Sequence, residues 1–268
     1  MSNDIIRRVQ CVETPSGYLL TWDTAEDVRV IRTTIYGINS AREFIIESPL
    51  VCTGRFVLDP SNYALLTAFK VSVVTDDGIV ETSDPITPQK LVKAERLLLK
   101  DMRRRFDVYV KSSPIGSYKC TLLLRRIDGP GCGNCGGKVC SGHGGSAISD
   151  YCTSCLGTGI KDPYYVYPRD IWVHAISPRD DNDVIENPAV QRSHITRSFQ
   201  STFDLQLKEG DVLVTGTEAY RIMKQTISAS VGNSPAIYNL EVIKFAPEDP
   251  RYPRLMELAA LGSDHDCK

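Results

Sequence analysis

The chain has no apolar run of eighteen or more residues. Its amino terminus, Met-Ser-Asn-Asp-Ile-Ile-Arg-Arg, offers neither an apolar segment nor a small-residue cleavage site. Both absences argue against a membrane span and against export by the usual route. Neither charge sign is in excess: 31 Lys and Arg face 33 Asp and Glu, a formal net charge of −2. Any contact with nucleic acid or membrane would therefore have to come from a local patch. Histidine is scarce, with four in 268 residues, and the GxSxG, HExxH and Gly-Lys-Ser/Thr patterns are missing. His174 lies in a strand-like run and is expected to be a satisfied sheet histidine rather than a base. The acidic pairs Asp76-Asp77 and Asp180-Asp181 sit in turn-like sequence, where Asp suits the backbone. The expectation is a protein that is not an enzyme.

Cysteine, by contrast, is plentiful at nine. Cys132-Gly-Asn-Cys135 is followed after sixteen residues by Cys152-Thr-Ser-Cys155, the spacing of a paired-knuckle zinc site. Two thiolates three residues apart can hold one ion from a tight turn, and a second such turn completes a tetrahedron. Four thiolates leave no open position for water, so the expected role is structural. The metal ligands are thus expected to be Cys132, Cys135, Cys152 and Cys155 around a zinc ion, with Cys140 or His143 in the intervening loop able to replace one of them. Disulfides are the alternative, but an odd cysteine count without an export signal fits metal and free thiols better.

The remaining sequence reads as mainly β. Six short strands are expected before residue 86: Ile5–Val12, Tyr18–Trp22, Val28–Tyr36, Phe44–Ile46, Arg55–Leu58 and Ala68–Thr75. Turn signals such as Asp76-Asp77-Gly78 punctuate them. This spacing predicts a β-sandwich over 1–86. Residues 87–106 predict a linking basic amphipathic helix with Thr87 as N-cap and Pro88 at the first position. Its apolar stripe would be Leu91, Ala94, Leu98, Met102 and Phe106, with Lys90, Lys93, Arg96, Lys100 and Arg103 to Arg105 opposite. That basic side is a solvated face or a surface for nucleic acid or an acidic partner. From Asp107 the pattern returns to strands: Asp107–Lys111, Lys119–Ile127, Ile171–Ile176, Phe199–Leu207, Asp211–Val214, Ala219–Ile227 and Ile237–Phe245, with a hairpin around Gly216. Residues 107–250 are expected to form a β-barrel-like domain, with 128–166 as a metal-clamped insertion and 178–198 as an exposed loop. A tail, 251–268, carries a short helical stretch at Leu255–Leu261.

Several stretches resemble known families. Leu19-Leu20-Thr21-Trp22-Asp23, Phe69-to-Gly78 and Glu81-Thr82-Ser83-Asp84-Pro85 resemble the second, sixth and closing strands of a fibronectin type III module. Cys152-Thr-Ser-Cys155-Leu-Gly157-Thr-Gly159 matches the CxxCxGxG repeat of DnaJ-type co-chaperones. That family carries four such repeats and a His-Pro-Asp J domain, whereas this chain has one full repeat, one degraded repeat and no His-Pro-Asp. A longer resemblance covers about residues 88–252. The basic helix, Val108-Tyr-Val-Lys111, the two knuckles, Asp162-Pro-Tyr-Tyr-Val-Tyr-Pro168, Gly210-Asp-Val-Leu-Val-Thr215, Tyr220-Arg221-Ile222 and Tyr238-to-Lys244 look like a group of tailed-bacteriophage neck proteins of head-closure (stopper) type.

That resemblance implies a structural virion protein. Copies would form a cyclic homo-oligomer at the head–tail junction, made in the host cytoplasm. They would contact a portal or adaptor and tail-completion proteins, with non-specific contact to DNA in the channel and none to a membrane. Two other readings compete with it. One is a zinc-ribbon nucleic-acid-binding or regulatory protein, against which Lys138 is the single cation between Cys132 and Cys155. The other is an adhesion protein built on the sandwich.

Overall fold

The computed structural model describes residues 5–14, 17–25, 28–39, 42–58, 66–113, 115–134, 152–176, 196–203, 205–232 and 234–263. The architecture is mainly β and contains a closed six-stranded barrel.

Seven strands build a first, two-sheet unit: β1 (Ile6–Thr14), β2 (Gly17–Thr24), β3 (Val30–Ile38), β4 (Glu43–Ile46), β5 (Arg55–Leu58), β6 (Ala68–Thr75) and β7 (Val80–Thr82). One sheet has the order β1-β2-β5 and the other β4-β3-β6-β7. Side chains of both meet in one core: Leu20, Trp22 and Phe56 from the first, Ile35, Val71 and Val73 from the second. Alternation decides what points there, since successive strand residues face opposite ways. Leu19, next to Leu20, therefore turns outward and joins the barrel core instead. Strand β2 is buried on both faces from Leu19 to Trp22, which is why Leu19 and Leu20 stand side by side instead of alternating with polar residues.

The linking helix departs from expectation. Helix α1 spans Lys93–Ser112, not 87–106. Residues before it stay extended because Phe69 pairs with Ile86 and Val12 with Gln89, while Glu13 accepts the Leu91 N–H. The helix starts where Glu95 turns back to accept the Val92 N–H, a half capping box. It runs on through Asp107–Lys111, expected as a strand, because no Gly or Pro interrupts it and Val110 is buried. Tertiary packing thus overrides the β-propensity of Val-Tyr-Val. The buried stripe is Leu99, Arg103 and Val110, one residue out of phase with the expected Leu98, which is 52% exposed. Leu99 packs with Leu91, Val231 and Ala236.

The barrel comprises β8 (Ser117–Arg125), β10 (Ile171–Ala175), β11 (Thr196–Ser201), β12 (Val212–Val214), β13 (Ala219–Val231) and β14 (Ser234–Lys244); a short strand, β9 (Tyr164–Val166), precedes β10. The order is β10-β11-β14-β13-β12-β8, all antiparallel, and the β8–β10 pairing closes the ring. Strand β9 pairs with Leu123–Arg125 of β8, so the end of the expected insertion is itself sheet. Thr196–Ser198, placed within the expected exposed loop, belong to β11; residues 177–195 lie outside the described residues. The hairpin around Gly216 is present, with Leu213 opposite Tyr220. Inside the barrel sit Leu122, Leu124, Val173, Phe199, Leu213, Ile222 and Leu240. The tail forms a full helix, α2 (Tyr252–Ser263), whose Leu255 and Ala259 cover the outer barrel residues Leu123, Val212 and Phe245.

Sandwich and barrel share a buried seam. Arg55 of β5 makes a two-pronged ion pair with Asp211 just before β12, at 2.7 and 3.2 Å, with both side chains 0% exposed. Asp211 also accepts the N–H groups of Arg125 at 2.8 Å and Lys208 at 2.7 Å. Lys208 in turn donates to the Trp22 carbonyl and, at 2.8 Å, to Asp23. Burial lowers the pKa of its ammonium and Asp23 opposes that shift. Gly54 lies in this seam at φ 71°. A Cβ there would stand 3.0 Å from the Trp22 carbonyl oxygen, so glycine meets both a backbone and a packing requirement.

Candidate metal centre

The paired knuckles stand at the foot of β8 and β9. Leaving β8, the chain is tied to the sandwich: the Ile127 N–H donates to the Cys52 carbonyl and the Gly129 N–H to that of Val30. Gly131 follows, against the Arg29 guanidinium. A Cβ at Gly131 would lie 2.2 Å from an Arg29 nitrogen, so a larger residue there would displace the tip of the Arg29 side chain. A small bridge then joins the knuckles. Gly131 pairs with Ile160, the Cys132 N–H donates to the Gly159 carbonyl and that of Lys161 to Pro130, each at 2.8 Å. Asn134 adds a side-chain bond to Ser154 at 2.6 Å.

The second knuckle turns back on itself. The Thr158 N–H and hydroxyl both donate to the Cys155 carbonyl, and Leu156 adopts φ 51°. This conformation is costly for a non-glycine residue, and its consequence is that the Leu156 side chain enters the apolar cluster with Leu123, Val212, Phe245 and Leu255. The knuckle is thereby plugged into the outer face of the barrel and the inner face of α2.

The three described sulfurs, of Cys132, Cys152 and Cys155, lie within 4.8 Å of one another. Cys132 and Cys155 are buried, and Cys152 is partly so. The Cys132–Cys152 Sγ···Sγ separation is 3.9 Å. Tetrahedral thiolates at a zinc–sulfur distance of about 2.3 Å stand about 3.8 Å apart, whereas a disulfide requires about 2.05 Å. The separation is too long for a disulfide and short enough for the sulfurs to share one ion. Three of the four cysteines singled out in the sequence are thus brought together close enough to hold a metal. Cys135, like Cys140 and His143, lies outside the described residues.

The other thiols behave differently. Burial pushes Cys11 and Cys120 up to about 12 and Cys52 up to about 11, so at neutral pH they are protonated, apolar and unreactive. His174, in β10, is bracketed on the protein surface: Nε2 lies 3.2 Å from the Tyr109 hydroxyl of α1 and Nδ1 lies 3.2 Å from the Ser117 hydroxyl. Both ring nitrogens have partners. His194 and His265 lie outside the described residues.

Sequence reasoning did not foresee Leu156 as the anchor of the knuckle or Arg29 as its rest. Leu156 left a trace, being an apolar residue placed directly after the last cysteine of the pair. Arg29 left none, because its contact is with a segment a hundred residues away. Among the described residues no helix is long and apolar enough to cross a membrane. No family model, curated protein or solved structure matches the chain.

Proposed function

We propose that this protein is a non-catalytic assembly subunit whose cysteine cluster holds a structural zinc ion in a four-thiolate shell of Cys132, Cys135, Cys152 and Cys155. In this reading it is a neck component of a tailed bacteriophage, of head-closure type. Copies form a ring around the DNA exit channel, between a portal or adaptor and the tail-completion proteins. The observation that supports the reading is the convergence of Cys132, Cys152 and Cys155 within 4.8 Å of one another, with Leu156 packed between barrel and C-terminal helix, an arrangement suited to a staple. A shell of four thiolates supplies no open coordination position; its contribution is to offset the ordering entropy of the insertion.

The two-sheet unit supports the same reading. Its strand orders, β1-β2-β5 against β4-β3-β6-β7, with Trp22 in the middle, suit a fibronectin type III-like module. Such a module contributes surface rather than chemistry. Rings of this kind are closed by head-to-tail contacts between copies.

Electron microscopy of purified particles tests the proposal, with a ring of this protein expected at the head–tail junction. A protein absent from particles that binds one defined DNA sequence, and loses that binding when the metal is removed, would replace it with zinc-ribbon recognition.

A further inference from the structure

Helix α1 concentrates charge that the chain as a whole does not have. It carries seven Lys and Arg against three Asp and Glu, while the full sequence is at −2. The acidic residues are engaged. Asp101 pairs with Arg105 at 2.9 Å, Glu95 accepts the Val92 N–H, and Asp107 accepts a hydrogen bond from Thr202. Arg96 is held by Glu13 at 2.6 Å, and Arg103 is buried with a bond to the Pro235 carbonyl. Four exposed cations are left, Lys93, Lys100, Arg104 and Lys111, none with an ion pair among the described residues.

At 100° and 1.5 Å per residue these four fall within an arc of about 40° and extend over about 27 Å. They form a straight row, and Lys100, Arg104 and Lys111 border a cleft of about 400 Å³ in which, among the described residues, Asp107 is the one acidic residue, bonded to Thr202. A compact anion would engage one or two of them; a linear polyanion engages all four. Duplex DNA presents one phosphate per about 3.4 Å of axis on each strand and turns once in about 10 base pairs, so a straight row of about 27 Å laid along it meets phosphates of both backbones. Among the described residues of α1 no base-reading aromatic or amide lies in the row, so the recognition is of phosphate and not of sequence.

We infer that the exposed row Lys93, Lys100, Arg104 and Lys111 on α1 is a binding surface for the phosphodiester backbone of duplex DNA. Within the neck reading, on which it rests, this is the face turned towards the channel. Each neutralised phosphate releases condensed counterions, which makes the affinity fall steeply with salt.

The test uses the full zinc-loaded chain and a labelled thirty-base-pair duplex of arbitrary sequence, with anisotropy followed from 50 to 200 mM salt. Four phosphate contacts predict a log–log slope near −3.6, a loss of about 150-fold across that range. The triple variant Lys100→Ala, Arg104→Ala, Lys111→Ala keeps one contact and should show a slope near −0.9, a loss of about three- to fourfold. All three residues are exposed, so its thermal midpoint should match that of the parent. The variant Arg105→Ala, on the other flank and paired with Asp101, should keep the parental slope. No binding at 50 mM salt, an unchanged slope in the triple variant, or equal competition by poly-glutamate would each overturn the inference. Particle microscopy keeps the two readings apart: a ring at the junction with a failed slope test removes this surface alone, and binding without the ring removes the neck.

Discussion

Replacing Asp211 by Ala should destabilise sandwich and barrel together. Asp211 accepts four hydrogen bonds, two from Arg55 and one each from the N–H groups of Arg125 and Lys208, at a site with no solvent exposure. Its removal leaves the Arg55 guanidinium buried without a counter-charge, which costs about 3–5 kcal/mol, and orphans two buried donors at about 1–3 kcal/mol each. These terms belong to one network and do not add fully, so a loss of about 4–6 kcal/mol is expected. At roughly 2–4 °C per kcal/mol for a chain of this size, the midpoint should fall by about 8–24 °C. The double variant Arg55→Met, Asp211→Leu removes both charges but not the orphaned donors, and should recover about half of the loss. The two tryptophans provide the assay: Trp22 is buried in the sandwich core and Trp172 lies in β10 of the barrel. Single-tryptophan proteins, Trp22→Phe and Trp172→Phe, followed by fluorescence in urea, should give coincident transitions, both displaced by Asp211→Ala. Two separate transitions, with only one displaced, would refute a shared seam.

Other outcomes follow from the cluster and the barrel. Cobalt added to metal-free protein should give the intense thiolate-to-metal absorption of a four-sulfur site at about one equivalent per chain, and Cys152→Ser should abolish it while the Trp22 signal stays native. Leu156→Ala should cost about 2–5 kcal/mol and speed hydrogen exchange in both knuckles and α2, measured peptide by peptide. The Glu218 carboxylate accepts hydrogen bonds from Lys244 and Tyr220, which hold its pKa below the usual value. A depressed folded pKa stabilises above the unfolded value, near 4.3, and that stability is lost as pH falls through the folded value. Urea midpoints between pH 7 and 3 should therefore drop less steeply for Glu218→Gln than for the parent.

What the sequence disclosed was local. The proximity of Cys132, Cys152 and Cys155 was legible because ligand chemistry prescribes spacing, and the β12–β13 hairpin because its turn and alternation lie within fifteen residues. The buried Trp22 was legible from the apolar run around it. Long-range pairing was not. The barrel closes by setting Cys120 against Ile171 and Lys119 against Trp172, across the whole insertion, and nothing in either strand names the other. The phase of α1 was misjudged by one residue because Leu97, Leu98 and Leu99 are equivalent as sequence; only the β13–β14 hairpin, through Val231 and Ala236, selects Leu99. Helix propensity likewise could not weigh Val108-Tyr-Val against the packing of Val110. Arg55 opens one short strand and Asp211 directly precedes another, and nothing in either segment names the other as its partner.

The wedge made by Leu156 has a bearing on how the chain is completed during synthesis. Its pocket is finished by Leu255 and Ala259, about a hundred residues downstream. At a translation rate of roughly 5–20 residues per second, the cysteines emerge between about five and twenty seconds before the helix that will cover them. For that interval Leu123, joined by Val212 once it has emerged, is open to water or to a chaperone. An ion captured early would keep the wedge in register through the wait. Until that helix arrives, the apolar flank around Leu156 stays unsealed.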